Sequence, residues 1–228
     1  MGIKSAEEIA KFKERLKESA LHTIIHIVIW SIFVYSFMTI LNKNIVYIAL
    51  GLLSLVLFSY MLTRNATGQT LIIHSWIRLV FITIWGVALG RFIYILIILP
   101  MLIIITIYDV FSFTRWGKNT LNAKTINNKE LLPRFLVFGR SFKTGKPVPT
   151  KGYGDYLWYS IAFSSIFTTY GKSIGLLAII AIIVGVIINL IIISRIYRYS
   201  WFKGFPATVG PLGLCVILII IKLIVNIN

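Results

Sequence analysis

Acidic residues are scarce in this chain of 228 residues, which has seven Asp and Glu against 23 Lys and Arg. A single cysteine, Cys215, excludes a disulfide framework and a cysteine metal site. The motif HExxH is absent, which argues against a zinc metalloprotease. His74 has no glycine-flanked serine motif to serve, which argues against a serine nucleophile. These absences leave the few carboxylates as the main candidates for chemistry.

Apolar residues, in contrast, make up 58% of the chain, and the mean hydropathy of +0.88 is far above that of soluble proteins. Several apolar runs reach the roughly 20 residues that a helix needs to cross a hydrocarbon core. We therefore predict an all-α polytopic membrane protein with about seven transmembrane helices. Their predicted ranges are 21–41, 44–62, 70–89, 92–113, 153–170, 173–194 and 208–226.

These spans divide the chain into four parts. Residues 1–20 are too polar for a signal peptide and predict a cytoplasmic amphipathic helix, with Ile9, Phe12 and Leu16 at helical spacing. Residues 21–113 hold transmembrane helices 1–4, residues 114–151 form a basic loop, and residues 152–228 hold helices 5–7. Within the loop, the stretch ELLPRFLVFGRSF suits either a short strand or a segment lying against the membrane surface.

Basic residues are distributed unequally between alternate loops. The N-terminal segment and the loops after the second, fourth and sixth spans carry 18 Lys and Arg, whereas the other loops carry only Lys43, Arg91 and Lys172. The positive-inside rule predicts a cytoplasmic N-terminus and an extracytoplasmic C-terminus. Because the basic residues serve membrane orientation in this way, the net charge of +16 does not indicate a nucleic-acid partner.

Only two carboxylates, Asp109 and Asp155, lie in predicted spans. The two spans are consecutive and antiparallel, which places both acids at similar depth near the cytoplasmic side. Neither span contains Lys or Arg, so we expect the acids to be partners. Two carboxylates that share a site retain one proton between them, as in aspartic proteases. Two other interpretations are that each acid simply reaches headgroup water, and that the acids relay protons in a transporter or channel.

The surroundings of these acids favour a site. Gly152 and Gly154 remove side chains beside Asp155, and Tyr108 places a hydroxyl next to Asp109. The stretch FPATVGPLG, residues 205–213, either leaves backbone groups unpaired at membrane depth or is ordinary punctuation at a helix start.

Other polar residues in spans have simpler interpretations. His22 and His26 share a helix face but have no third ligand, so we predict interfacial or packed histidines and no metal site. Arg78 is expected to snorkel towards the inner surface, with tuning of the aspartates as the alternative. Ala181 and Gly185 form a small-xxx-small pattern that predicts close helix packing.

Three short motifs follow one another along the last four predicted spans. They are Tyr108-Asp109, Gly152-Tyr153-Gly154-Asp155 and Pro206-Ala207-Thr208. Together they resemble the YD, GxGD and PAL motifs of presenilins and signal peptide peptidases, and the resemblance covers about residues 90–228. The chain departs from the pattern at Thr208, where the family has leucine, and in having seven predicted spans where the family has nine.

The resemblance implies a presenilin-like fold without its first two helices and an intramembrane aspartyl protease that needs no cofactor. It implies that Asp109 and Asp155 are catalytic, and that the other motif residues shape the active site and engage substrate. The substrates it implies are transmembrane helices with an N-terminus outside. We expect such a helix to unwind and to pair as a strand with Leu136 to Phe138 or with backbone near Pro206.

One alternative from the same chemistry is a prepilin or preflagellin peptidase, which uses GxGD at the membrane surface but lacks the other two motifs. A different class is a proton-coupled transporter or channel, although the sequence shows no pair of broken helices in two halves. The sequence leaves the substrate, accessory subunits, self-cleavage of the 114–151 loop and a homo-oligomer open.

Overall fold

The part of the chain that the structure describes folds into six long helices and one β-hairpin. The computed structural model describes residues 6–41, 43–64, 66–114, 116–120, 123–125, 128, 131–199 and 206–227. The helices are α1 (Ala6–Ile40), α2 (Asn44–Thr63), α3 (Gly68–Phe92), α4 (Ile95–Ser112), α5 (Tyr153–Ile196) and α6 (Val209–Ile227). The hairpin consists of β1 (Leu136–Arg140) and β2 (Pro147–Gly152).

Five of these helices, α1 to α5, are long and apolar enough to cross a membrane. Isoleucine, leucine and valine side chains cover much of their outer surface, as in Ile32, Leu52 and Ile104. Such a surface is costly in water and favourable in lipid. The predicted all-α integral membrane protein is thereby confirmed at this level.

Helix α5 reverses direction at Gly171, whose φ of 82° and ψ of −178° interrupt the helix. Glycine adopts this conformation without the strain that a Cβ would cause. A Cβ on Gly175 would lie 2.6 Å from the ring of Phe167, although eight residues of straight helix would separate them by about 12 Å. The predicted break between spans 153–170 and 173–194 therefore lies at Gly171, and the two halves of α5 fold back on each other.

The predicted N-terminal helix and first span form one continuous helix, α1, and the hairpin docks on it. Ser19 donates to the carbonyl of Pro149 at 2.8 Å, His22 Nε2 lies 2.8 Å from the carbonyl of Arg140, and His26 Nδ1 lies 3.1 Å from Thr150 Oγ1. The two histidines thus hold the hairpin, in agreement with the prediction that they are packed residues.

The turn between α3 and α4 and the side chain of Arg78 both differ from the predictions. Helices α3 and α4 are separate, with the break at residues 93–94, a few residues beyond the predicted turn at Gly90 and Arg91. Arg78 does not snorkel, because its side chain is only 1% exposed. Its guanidinium donates to the carbonyls of Met61 at 2.6 Å and Arg64 at 3.1 Å, so it caps the end of α2 inside the protein.

Close helix packing around α5 relies on glycine. A Cβ on Gly90 of α3 would lie 2.3 Å from the carbonyl oxygen of Ile161, and one on Gly185 would lie 2.3 Å from the nitrogen of Pro211. Both distances are far below van der Waals contact, so only glycine permits the observed approach. The prediction that Gly185 serves packing is confirmed, and its partner is the first turn of α6.

Candidate active site

Asp109 lies in the last turn of α4 and is 8% exposed. Its Oδ2 accepts two hydrogen bonds from Thr208, one from the backbone N–H at 3.1 Å and one from the hydroxyl at 2.7 Å. Residues 99 positions apart in sequence therefore meet at this carboxylate. The contact joins α4 to the start of α6.

Asp155 lies in the first turn of α5 and is partly exposed. Its Oδ2 accepts a hydrogen bond from the N–H of Gly152 at 3.1 Å. This carboxylate therefore satisfies a free amide at the start of its own helix, where negative charge is also favoured by the helix dipole. Asp155 and Asp109 are close enough to interact electrostatically, so the structure brings the two predicted acids to one place.

Lys151 adds a basic group that the sequence analysis missed. Its side chain is 8% exposed, and its Nζ donates to Tyr159 Oη at 2.6 Å and to the carbonyl of Ala207 at 3.4 Å. Burial lowers the pKa of Lys151, and the carboxylates of Asp155 and Asp109 oppose this change. The two acids are therefore neighbours of a buried amine as well as of each other.

Lys151 lies outside the two predicted spans, at the end of the basic loop, and was therefore not expected beside the acids. Lys151 belongs instead to β2, whose last residue, Gly152, leads directly into α5. The sequence does contain a signal for it, because Lys151 immediately precedes the glycine motif and is only four residues from Asp155. The hairpin gives this lysine a fixed position, because Tyr153 N–H donates to the carbonyl of Phe135 at 3.0 Å.

Three side chains converge on the carbonyl of Ala207, just before α6. Besides Lys151, Tyr159 Oη donates to it at 2.9 Å and Asn189 Nδ2 at 2.8 Å. Asn189 Oδ1 also accepts the N–H of Gly210 at 3.2 Å, which satisfies a free amide in the first turn of α6. The irregular backbone predicted here is thus satisfied by protein groups, as membrane depth requires.

The remaining predicted site residues have different positions. Tyr108 is 40% exposed, and within the described chain its hydroxyl has no hydrogen bond. Tyr153 is a core residue, 1% exposed, and its hydroxyl donates to the carbonyl of Ser75 at 3.2 Å. Gly154 is exposed, and a Cβ there would meet no atom within 4 Å. Pro206 is buried, and its carbonyl oxygen accepts Asn189 Nδ2 at 3.4 Å.

The chemistry available at this site is acid–base chemistry. Two carboxylates, one amine and one phenol lie near one another where α4, β2, α5 and the start of α6 approach, and the Cβ position of Gly154, the residue before Asp155, faces open space. Among the described residues, no group of three or more His, Cys, Asp or Glu could hold a metal ion. The site therefore suits reactions in which carboxyl groups move protons.

Comparison of the chain with models of known protein families and with curated proteins finds no match.

Proposed function

We propose that this chain is an intramembrane aspartyl protease with a presenilin-like arrangement of seven transmembrane helices. The seven spans would be α1 to α4, the two halves of α5 and α6. The observation that carries the proposal is that Asp109 and Asp155, the only aspartates in the chain, come from different helices and lie within electrostatic range of each other. The resemblance of the three motifs to presenilins and signal peptide peptidases supports the same function.

Peptide hydrolysis by such a pair follows from the sharing of one proton. The ionised carboxylate takes a proton from a water molecule as its oxygen attacks the carbonyl carbon of the peptide, and the protonated carboxyl donates a hydrogen bond to the carbonyl oxygen. The C–N bond then breaks, and the leaving amine takes up a proton from the pair. The products are a carboxylate and an amine, and no cofactor is needed.

A substrate helix must unwind before this reaction, because a helix hides its amides. Gly154 supports an approach beside the first turn of α5, because a Cβ at this position would meet no atom within 4 Å beyond its own chain neighbours. The predicted strand at Leu136 to Phe138 is present as part of β1. Pairing of a substrate with this strand stays a prediction. The strand already pairs with β2, and its Phe138 N–H donates to Ser75 Oγ at 3.1 Å.

The proposed orientation puts the site on the cytoplasmic side. The hairpin, which belongs to the most basic loop, contacts α1 at Ser19, so the basic segments and the aspartates share one end of the molecule. The positive-inside rule places that end in the cytoplasm. Substrate helices would then have their N-termini outside, as for presenilin.

The test is cleavage of a panel of single-span substrates by the purified chain in detergent. We expect product ends within the span, and no product from Asp109→Asn, from Asp155→Asn, or from the wild type with a transition-state-mimicking aspartyl protease inhibitor. Product ends only at the membrane surface would favour the prepilin-type alternative. Cleavage that survives both substitutions would exclude the proposed mechanism.

One observation favours a second candidate, a proton-coupled transporter or channel. Lys151, Tyr159 and the two aspartates form a continuous set of titratable groups, as a proton relay requires. Proton uptake into liposomes that contain the purified chain, lost in both Asn variants and unaccompanied by cleavage, would support this candidate.

A further inference from the structure

Thr208 occupies the position just before α6. Its carbonyl accepts the N–H of Leu212 at 2.9 Å, the first hydrogen bond of the helix, so Thr208 is the N-cap residue. An N-cap threonine usually turns its hydroxyl towards the free amides of its own helix. Here the hydroxyl is directed to Asp109 instead, and Asn189 accepts the N–H of Gly210 in its place.

Both donors of Thr208 converge on one oxygen atom. The backbone N–H and the hydroxyl each bond Asp109 Oδ2, at 3.1 and 2.7 Å, and the side chain of Thr208 is 4% exposed. Two bonds from one rigid residue fix both the position and the rotation of a carboxylate. A leucine at this place would keep the amide bond and lose the hydroxyl bond, in surroundings where water cannot replace it.

We infer that Thr208 is a positioning residue that holds the carboxylate of Asp109 in its working orientation towards Asp155. This inference rests on the proposed function. It explains the departure from the PAL pattern, because threonine makes a hydrogen bond to Asp109 that leucine could not make. Among the described residues, Asp155 and Tyr159 from α5 and Lys151 from β2 lie within electrostatic range of Asp109, and Thr208, just before α6, bonds it.

The chain offers a favourable way to observe this contact. Because Asp109 and Asp155 are its only aspartates, aspartate labelled with ¹³C at the carboxyl carbon reports on two groups alone. In an Asp155→Asn background the label reports on Asp109 alone. We expect the resonance of Asp109 in detergent to change in Thr208→Val, which keeps the shape and loses the hydroxyl, and to stay near its wild-type position in Thr208→Ser.

Kinetics of the otherwise wild-type chain provide the second readout. We expect Thr208→Val to lower kcat about tenfold, the effect of one lost hydrogen bond to a charged group, with KM within about twofold. Thr208→Ser should recover most of kcat. Thr208→Ala serves as a second hydroxyl-free variant if the valine variant does not fold. Thr83→Val is the matched control, since the buried hydroxyl of Thr83 has no partner in the described chain.

The outcomes separate this inference from the proposed function. If Thr208→Ser behaves like Thr208→Val, or if the valine and alanine variants behave like the wild type, the inference is wrong. If the wild type cleaves no substrate, the protease proposal fails, and the positioning role fails with it. A carboxyl resonance of Asp109 that changes in Thr208→Val and not in Thr208→Ser would then still establish the contact between Thr208 and Asp109. A resonance that is unchanged in both variants would exclude this contact.

Discussion

The two aspartates are held in place by different means. Asp109 depends on Thr208, which is 99 residues away in sequence, whereas Asp155 depends on Gly152, which is three residues away. Asp109 is 8% exposed, whereas Asp155 is partly exposed and follows Gly154, whose Cβ position faces open space. One acid is thus positioned by the tertiary structure and the other by the start of its own helix. Asp109 therefore depends on how α6 packs, whereas Asp155 depends on the first turn of α5.

Removing each acid has the largest expected effect and tests how differently the two are held. Asp109→Ala and Asp155→Ala should each lower proteolysis by at least about a thousandfold, because the acids act as a unit. Their effects on stability should differ. Asp109→Ala leaves two buried donors of Thr208 unpaired, at a cost of about 1–3 kcal/mol, whereas Asp155→Ala loses a terminal helix cap, at about 1 kcal/mol. Chemical denaturation of both variants checks this; equal losses would contradict the difference in how the acids are held.

Approach of a substrate past Gly154, the residue before Asp155, can be tested by placing a side chain there. Gly154→Leu should fold normally, since a Cβ there meets no atom within 4 Å, and should slow cleavage about a hundredfold by displacing the substrate. The matched control is Gly185→Ala, whose Cβ would lie 2.3 Å from Pro211 and which should destabilise the fold by about 1–3 kcal/mol. Thermal unfolding and initial rates separate the two effects. Normal cleavage by Gly154→Leu would show that substrate does not approach on this side.

Lys151 lies within electrostatic range of both acids, and its charge should make activity depend on pH. Burial lowers its pKa below the usual 10.5, so the ammonium becomes neutral at a lower pH than an exposed lysine would. Cleavage should therefore decline on the alkaline side, at pH values below 10.5. Lys151→Arg should lack this decline because arginine stays charged, and Lys151→Met should be about tenfold slower across the pH range. A decline that persists in the arginine variant would assign it to another group.

Asn189 provides the smallest test, because it touches neither acid. It bonds the carbonyl of Ala207, one residue before Thr208, and the N–H of Gly210, two residues after it. Asn189→Leu should cost about 1–3 kcal/mol of stability and reduce cleavage by a few-fold. The carboxyl resonance of Asp109 should move more than that of Asp155. A larger movement at Asp155 would contradict the view that α6 positions only Asp109.

The same contrast between local and distant contacts determines what the sequence could predict. The pair of aspartates, the break near Gly171 and the strand at Leu136 to Phe138 follow from hydrophobic runs and local residue types. The contacts of Thr208 and Asn189 do not, because they join helices whose rotation no periodic pattern specifies. Arg78 differs from its prediction for a related reason: a charged side chain within a span is expected to reach towards the headgroups, and the end of α2 supplies carbonyls in their place.

The helical segments that end at the aspartates are short. Helix α4 has 18 residues, the stretch 153–170 of α5 also has 18, and α6 has 19, whereas α3 has 25. At 1.5 Å per residue the short segments measure about 27–28 Å, slightly less than a typical hydrocarbon core of about 30 Å. Lipid must therefore thin around this part of the protein, or the ends of these helices must lie below the headgroups. Either response to the hydrophobic mismatch would bring water from the membrane surface down to the carboxylates, and a bilayer of longer acyl chains should make that depression deeper and more costly to maintain.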